Sequence, residues 1–171
     1  MELFIKGDRP SLIEVLDRRE ARDRLIRSLD KQYKDLPVLS FFLNIPGPVK
    51  NNEPIRRIFS YGLVKIRESL EGKISYEQTY QAKSGPEAYI IVECDPYELK
   101  KLMVGLEDSE IGRLFDIDIF YKGSFISREE VGEAKRKCFL CEKDAKLCAR
   151  SRAHSLEDML TYIGNIMKKY L

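Results

Sequence analysis

Gly112-Arg113-Leu114-Phe115-Asp116-Ile117-Asp118-Ile119-Phe120-Tyr121 alternates polar and apolar residues along its length. As a strand it sets Asp116 and Asp118 on one face with Phe120, and Phe115, Ile117, Ile119 and Tyr121 on the other. Aspartate is a poor strand former, and two carboxylates at i and i+2 on one face repel each other. The pair therefore calls for a cation, a proton or open solvent. Two readings stand at this point: a solvated strand face, or a site for a divalent metal.

Upstream of this strand, Asp95-Pro96-Tyr97-Glu98 is a strong helix start, with Asp95 as cap, Pro96 in the first helical position and Glu98 completing a capping box. Leu99, Leu102, Met103 and Leu106 supply that helix's buried stripe. Before it, Ile74 to Ala82 and Ala88 to Glu93 read as strands joined by Lys83-Ser84-Gly85-Pro86-Glu87. A further helix follows Asn52-Glu53-Pro54 and carries Ile55, Ile58, Phe59, Gly62, Leu63, Ile66 and Leu70 on one face. The first strand of the series, Val38 to Ile45, runs into the rigid loop Asn44-Ile45-Pro46-Gly47-Pro48-Val49-Lys50, which suits either a stiff connector or a ligand-holding turn. The order is βαββαβ, the ferredoxin-like arrangement of an α+β protein, in which both helices lie on one face of an antiparallel sheet. Its first and last strands are then neighbours, and the Asn44–Lys50 loop leaves the sheet close to where Arg113 and Asp116 enter.

An N-terminal helix starts at Asp8-Arg9-Pro10-Ser11, with Asp8 or Arg9 as cap and Pro10 in the first turn, and runs to about Tyr33. Val15, Leu16, Ile26, Leu29 and Tyr33 share one side of it with Arg19 and Arg22. Arginines on a core-facing stripe must snorkel out, pair with acids, or face an anionic ligand. Beyond Lys122-Gly123 the chain is loop-like to Lys137. Cys138, Cys141, Cys148 and His154 follow, four donors of the number and kind a tetrahedral zinc site uses, although the spacing also suits free thiols or a redox pair. Ser155 caps a last helix whose Leu156, Leu160, Ile163, Met167 and Tyr170 pack back onto the rest. The whole reads as one domain over 1–171: an N-terminal helical segment 1–36, an α+β core 37–121, and a Cys/His loop with C-terminal helix over 122–171.

The 171 residues are 43% hydrophobic and 34% charged, a globular composition with enough chain for a proper core. The charges nearly cancel, 30 basic against 28 acidic, so the overall field gives no case for nucleic acid or membrane as partner. Locally they separate. Glu107, Asp108, Glu110, Asp116 and Asp118 crowd one segment, whereas Lys135, Arg136, Lys137, Lys143, Lys146, Arg150 and Arg152 dominate the next. No window approaches the ~20 consecutive apolar residues of a membrane span, and Met1 to Leu12 has no signal-like run. A cytoplasmic, reducing compartment is the default, and there structural disulfides are not expected.

Four motifs, in order, give the chain a resemblance. They are Leu43-Asn44-Ile45-Pro46-Gly47-Pro48-Val49-Lys50, Ser84-Gly85-Pro86-Glu87, Gly112-Arg113-Leu114-Phe115-Asp116-Ile117-Asp118, and Arg136-Lys137-Cys138-Phe139-Leu140-Cys141 continuing through Cys148-Ala149-Arg150-Ser151-Arg152-Ala153-His154. Together they resemble the holo-acyl-carrier-protein synthases of citrate lyase, also called apo-citrate lyase phosphoribosyl-dephospho-CoA transferases, from about Arg19 into the final helix. The resemblance implies a nucleotidyltransferase that moves 2′-(5″-triphosphoribosyl)-3′-dephospho-CoA onto a serine of the citrate lyase acyl carrier subunit and releases diphosphate. Such a reaction needs positioning and charge neutralisation above all. On that basis Asp116 and Asp118 hold Mg2+, one of them also serving as base. Arg19, Arg22, Lys50 and Arg113 meet the triphosphate, and Asn44, Ser84 and Glu87 line the site. Cys138, Cys141, Cys148 and His154 hold a structural zinc, and the basic residues around them face the acidic surface of a carrier protein. Two other readings are a related transferase for another carrier, such as that of malonate decarboxylase, and a zinc-containing RNA-binding module. Near-neutral charge and the lack of an exposed aromatic pair argue against the second.

Overall fold

A computed structural model describes residues 2–171. Its centre is a five-stranded antiparallel sheet of β1 (Val38–Leu43), β2 (Ile74–Ala82), β3 (Gly85–Val92), β4 (Phe115–Tyr121) and β5 (Ser124–Phe125), in the spatial order β2-β3-β1-β4-β5. The helices are α1 (Leu12–Gln32), α2 (Glu53–Ser69), α3 (Pro96–Glu107), α4 (Ala145–Ser151) and α5 (Leu156–Lys168). The fold is therefore mixed α+β.

β1 and β4 are neighbours, with Phe42 opposite Asp116 and Ser40 opposite Asp118. The Asn44 amide donates to the Leu114 carbonyl at 2.8 Å, which places the exit of β1 beside the entry of β4. The pleat separates two cores. On one face Leu39, Phe41, Ile90, Phe115, Ile117 and Ile119 meet α2, α3 and α5. On the other, Val38, Tyr89, Ile91 and Phe120 meet Ile26 and Leu29 of α1. Asp116 and Asp118 continue the α1 side of β4, past the point where its apolar residues end. The α2 stripe is buried as its spacing predicts, and Gly62 lets the helix close onto the sheet: an added Cβ there would lie 2.6 Å from Phe41 Cζ and 2.9 Å from Phe115 Cε1.

Several local expectations are revised. The cap of α1 is Ser11, in a capping box with Glu14, because Asp8 is held outside the helix by backbone bonding to Asn51 and Lys50. Leu16 is 47% exposed, and in this half of α1 the side chains that meet the sheet are Arg18 and Arg22. The β2–β3 turn is only Lys83-Ser84, and β3 begins at Gly85. On α3 the buried stripe is Leu99, Lys100, Met103, Val104 and Glu107, whereas Leu102 faces solvent. That rotation aims a lysine and a glutamate at β4. Within the segment read as a loop and Cys/His region, β5 pairs with the end of β4, and α4 carries Cys148.

Candidate functional site

β4 is edged by β5 only at Phe120 and Tyr121. Just ahead of these the Ile126 amide donates to the Ile119 carbonyl at 2.9 Å, and from Ile117 back to Phe115 the outer backbone is met by side chains. Ile117 N–H donates to Glu107 Oε1 at 2.9 Å, Lys100 Nζ donates to the Ile117 carbonyl at 3.1 Å, and Arg136 donates to the Phe115 carbonyl at 2.8 Å. Glu107, almost fully buried, also pairs with Arg128 at 2.8 Å and Arg136 at 2.6 Å. An unpaired strand edge is thereby satisfied and fixed beneath the carboxylate pair. Lys100, Glu107 and Arg128 were not singled out from sequence. The available signal was the i, i+7 spacing of Lys100 and Glu107, which puts two charges on the stripe that holds Leu99 and Met103.

Asp116 is open to solvent and Asp118 partly buried, and both sit at the floor of concave surface. Exposed as it is, Asp116 stands between walls that thin the water around it, and this pushes its carboxyl above its ordinary value against the opposing charge of Arg136. The same crowding, with the Asp116 charge added, pushes Asp118 up to about 6 even though Lys100 opposes it. Two neighbouring carboxylates, the charge of Asp116 disfavouring that of Asp118, with an open side for water or phosphate oxygens, form a donor set that fits a magnesium-like cation.

Three adjoining concavities meet here. A small cleft of about 190 Å³ is lined by Arg19, Arg22, Asn44, Lys50, Ser84 and Asp116, bringing together six residues that sequence reasoning had selected separately. A middle groove of about 580 Å³ holds Asp116, Asp118, Lys100 and Arg136. A wide groove of about 980 Å³ runs from Asn44 along Arg113 and the Cys/His segment to α5. Asn44 lines all three.

In the small cleft, Arg22 stacks over Phe42 at 4.4 Å, pairs with Glu87 at 2.6 Å and reaches Ser84 Oγ at 3.4 Å. Glu87 does not reach the cleft surface. It is fully buried and takes both Arg18 and Arg22, with the Tyr89 hydroxyl donating at 2.8 Å. Burial pushes its carboxyl up, but the two guanidiniums and the hydroxyl outweigh that and hold it below its ordinary value. Lys50 donates to the Ile45 carbonyl at 2.7 Å, and burial together with the Arg19 charge pushes its amine down. Arg113 belongs to the wide groove instead, where its guanidinium donates to the Cys138 carbonyl and lies 5.6 Å from the Phe139 ring.

The donor atoms of Cys138, Cys141, Cys148 and His154 all lie within 4.8 Å of one another, so the cluster could hold a metal ion. Cys141 Sγ is 3.5 Å from Cys148 Sγ and 3.3 Å from His154 Nε2. Around a tetrahedral zinc with Zn–S bonds of ~2.3 Å, such edges measure ~3.7 Å, so the set is already near closure. Backbone bonds shape it: the Cys138 amide donates to the Lys143 carbonyl at 2.8 Å, and Cys148 projects from α4.

A carboxylate pair beside a cleft walled by arginines and a lysine, on a rigid sheet, is equipment for a transferase whose substrate carries phosphate. A family model described as apo-citrate lyase phosphoribosyl-dephospho-CoA transferase matches residues 10–170. A Streptococcus pyogenes protein named "Probable apo-citrate lyase phosphoribosyl-dephospho-CoA transferase" is 34% identical over 99% of this chain and 91% of its own. A Vibrio cholerae protein of the same name is 36% identical over 94% of this chain and 93% of its own. The chain also aligns over 99% of its length, at 30% identity, with 38% of the longer Protein CitXG of Leuconostoc mesenteroides. The class is that of transferases acting on apo-citrate lyase. More particularly, the chain belongs to the apo-citrate lyase phosphoribosyl-dephospho-CoA transferase family.

Proposed function

We propose that this protein transfers the phosphoribosyl-dephospho-CoA group from 2′-(5″-triphosphoribosyl)-3′-dephospho-CoA to a serine of the acyl carrier subunit of citrate lyase. The observation that carries this reading is the position of Asp116, which lines both the cation-walled small cleft and the groove holding Asp118. In this reading Arg19, Arg22 and Lys50 bind the triphosphate, and Asn44 and Ser84 orient it. The serine oxygen attacks the phosphorus nearest the ribose. The bond from that phosphorus to the bridging oxygen breaks, diphosphate leaves with the electron pair, and the serine proton passes to the carboxylate pair. Mg2+, held by Asp116 and Asp118, supplies charge neutralisation at the attacked phosphate when bound. Glu87 acts from beneath by holding Arg18 and Arg22 in place, and the Cys/His cluster holds zinc in a structural role. Arg113 steadies that cluster's loop from the groove side.

Incubation with the triphosphoribosyl donor and apo carrier tests the reading. The expected result is a carrier mass increase equal to the phosphoribosyl-dephospho-CoA group, with one diphosphate released per carrier. An unchanged carrier mass, or diphosphate release without carrier modification, overturns it.

A further inference from the structure

The small cleft, at about 190 Å³, lies below the ~300–1,000 Å³ of ordinary small-molecule sites, so it has room for a short run of phosphates and little else. The wide groove, at about 980 Å³, lies at the top of that range. Its wall offers apolar side chains, Pro46, Phe139 and Met159, each half-buried, and Leu156, 44% exposed. Its charged lining has twice as many bases as acids, and two of the three acids, Glu107 and Asp108, are already paired with Arg128 and Arg136. Arg113 reaches it from the turn that precedes β4, and Arg152 lines it without an ion pair among the described residues. Asn44 belongs to both spaces, so a ligand whose phosphates sit at Asp116 can pass Asn44 and continue along the groove.

We propose that the wide groove binds the dephospho-CoA body of the donor, with the pantetheine arm along Pro46, Phe139, Leu156 and Met159 and the diphosphate of dephospho-CoA facing Arg113 and Arg152. This rests on the function proposed above for the Asp116 site. A long, flexible, largely uncharged arm gains from apolar wall area, and the anionic middle of the same molecule gains from guanidiniums at the rim. The arrangement separates two tasks. The small cleft reads phosphate charge, and the wide groove reads the rest of the molecule.

Titration calorimetry on the full chain with two separate probes, 3′-dephospho-CoA and inorganic triphosphate, tests the proposal. Leu156→Glu and Met159→Glu alter the groove wall, and circular dichroism checks that α5 persists. Each variant is expected to weaken dephospho-CoA binding about tenfold or more, with triphosphate affinity unchanged and with Leu156→Met close to the parent. Parent protein that does not bind dephospho-CoA at millimolar concentration overturns the proposal. So does unaltered dephospho-CoA affinity in both Leu156→Glu and Met159→Glu. A raised KM for apo carrier with unchanged dephospho-CoA binding assigns the groove to the acceptor protein and also overturns it. Dephospho-CoA binding that responds as expected in a protein that modifies no carrier instead sinks the transfer reaction and leaves the groove assignment standing.

Discussion

The Arg22 guanidinium lies 2.6 Å from the Glu87 carboxylate, joining α1 to the middle of the sheet at a position where Glu87 is fully buried. One acid thus serves two arginines, Arg18 and Arg22, and only the second lines the small cleft. Glu87→Ala leaves both guanidiniums without their counter-charge and is expected to cost about 3 kcal/mol of stability. The pH dependence follows from the direction of the shift. Although burial pushes the Glu87 carboxyl up, the guanidiniums prevail and its folded value lies below the unfolded one. Its contribution is therefore complete above the unfolded value of ~4.3 and is lost as pH falls through the folded value. Thermal melts should show Glu87→Gln well below the parent at neutral pH, with the gap closing on acidification. A gap that stays constant from neutral to strongly acidic pH contradicts this.

Asp116 and Asp118 lie beyond the apolar part of their sheet face, so their removal should spare the fold. Asp116→Asn and Asp118→Asn are each expected to lower the transfer rate by about 100-fold or more, with melting temperatures at or above the parent's because a crowded charge is gone. Steady-state assay of carrier modification provides the check. Normal turnover in either variant removes the metal-holding role.

Arg19 is exposed at the mouth of the small cleft and has no ion pair among the described residues. Arg19→Ala should therefore leave stability almost unchanged while weakening inorganic triphosphate binding about tenfold, the worth of one charge-assisted contact. Triphosphate binding by the parent should also fall as salt rises.

The Cys/His cluster predicts one zinc per chain in protein purified without chelator, measured by elemental analysis. Burial and the neighbouring Cys141 and Cys138 thiols push Cys148 up to about 11, so binding a cation there must displace protons. Cys148→Ser should lose the metal and reduce thermal stability, and chelator treatment of the parent should have the same effect. Protein that contains no zinc and melts identically with and without chelator excludes the structural role.

Gly112 is packed where no side chain fits: a Cβ would stand 1.8 Å from the Leu106 carbonyl oxygen. Gly112→Ala is expected to displace the turn that leads from α3 into β4 and to destabilise the protein by several kcal/mol, on the scale of severe overpacking. Equilibrium denaturation gives the value. A loss below ~1 kcal/mol means that the turn can shift without cost.

The strand pattern of residues 115–121 and the six buried positions of α2 were legible because burial on a sheet face or a helix stripe leaves a period in the sequence. Arg19, Arg22, Asn44, Lys50, Ser84 and Asp116 were legible one at a time as charges or turns in unusual company. Their convergence on one cleft depends on strand order, which only the βαββαβ pattern hinted at. Arg18 was missed because its partner, Glu87, lies 69 residues away. Lys100 and Glu107 were missed for a related reason. Hydrophobic periodicity assigns the buried stripe to the more apolar choice, Leu102, whereas the strand edge required groups that can hydrogen-bond.

That edge has a consequence for assembly. Around Ile117 the backbone groups that would welcome another strand already hold Glu107 and Lys100, and Arg136 occupies the Phe115 carbonyl. An incoming strand would have to displace Glu107 together with the two arginines paired to it. Joining two copies into a continuous sheet through the strand that carries Asp116 and Asp118 would therefore cost the unpairing of a buried acid from two guanidiniums.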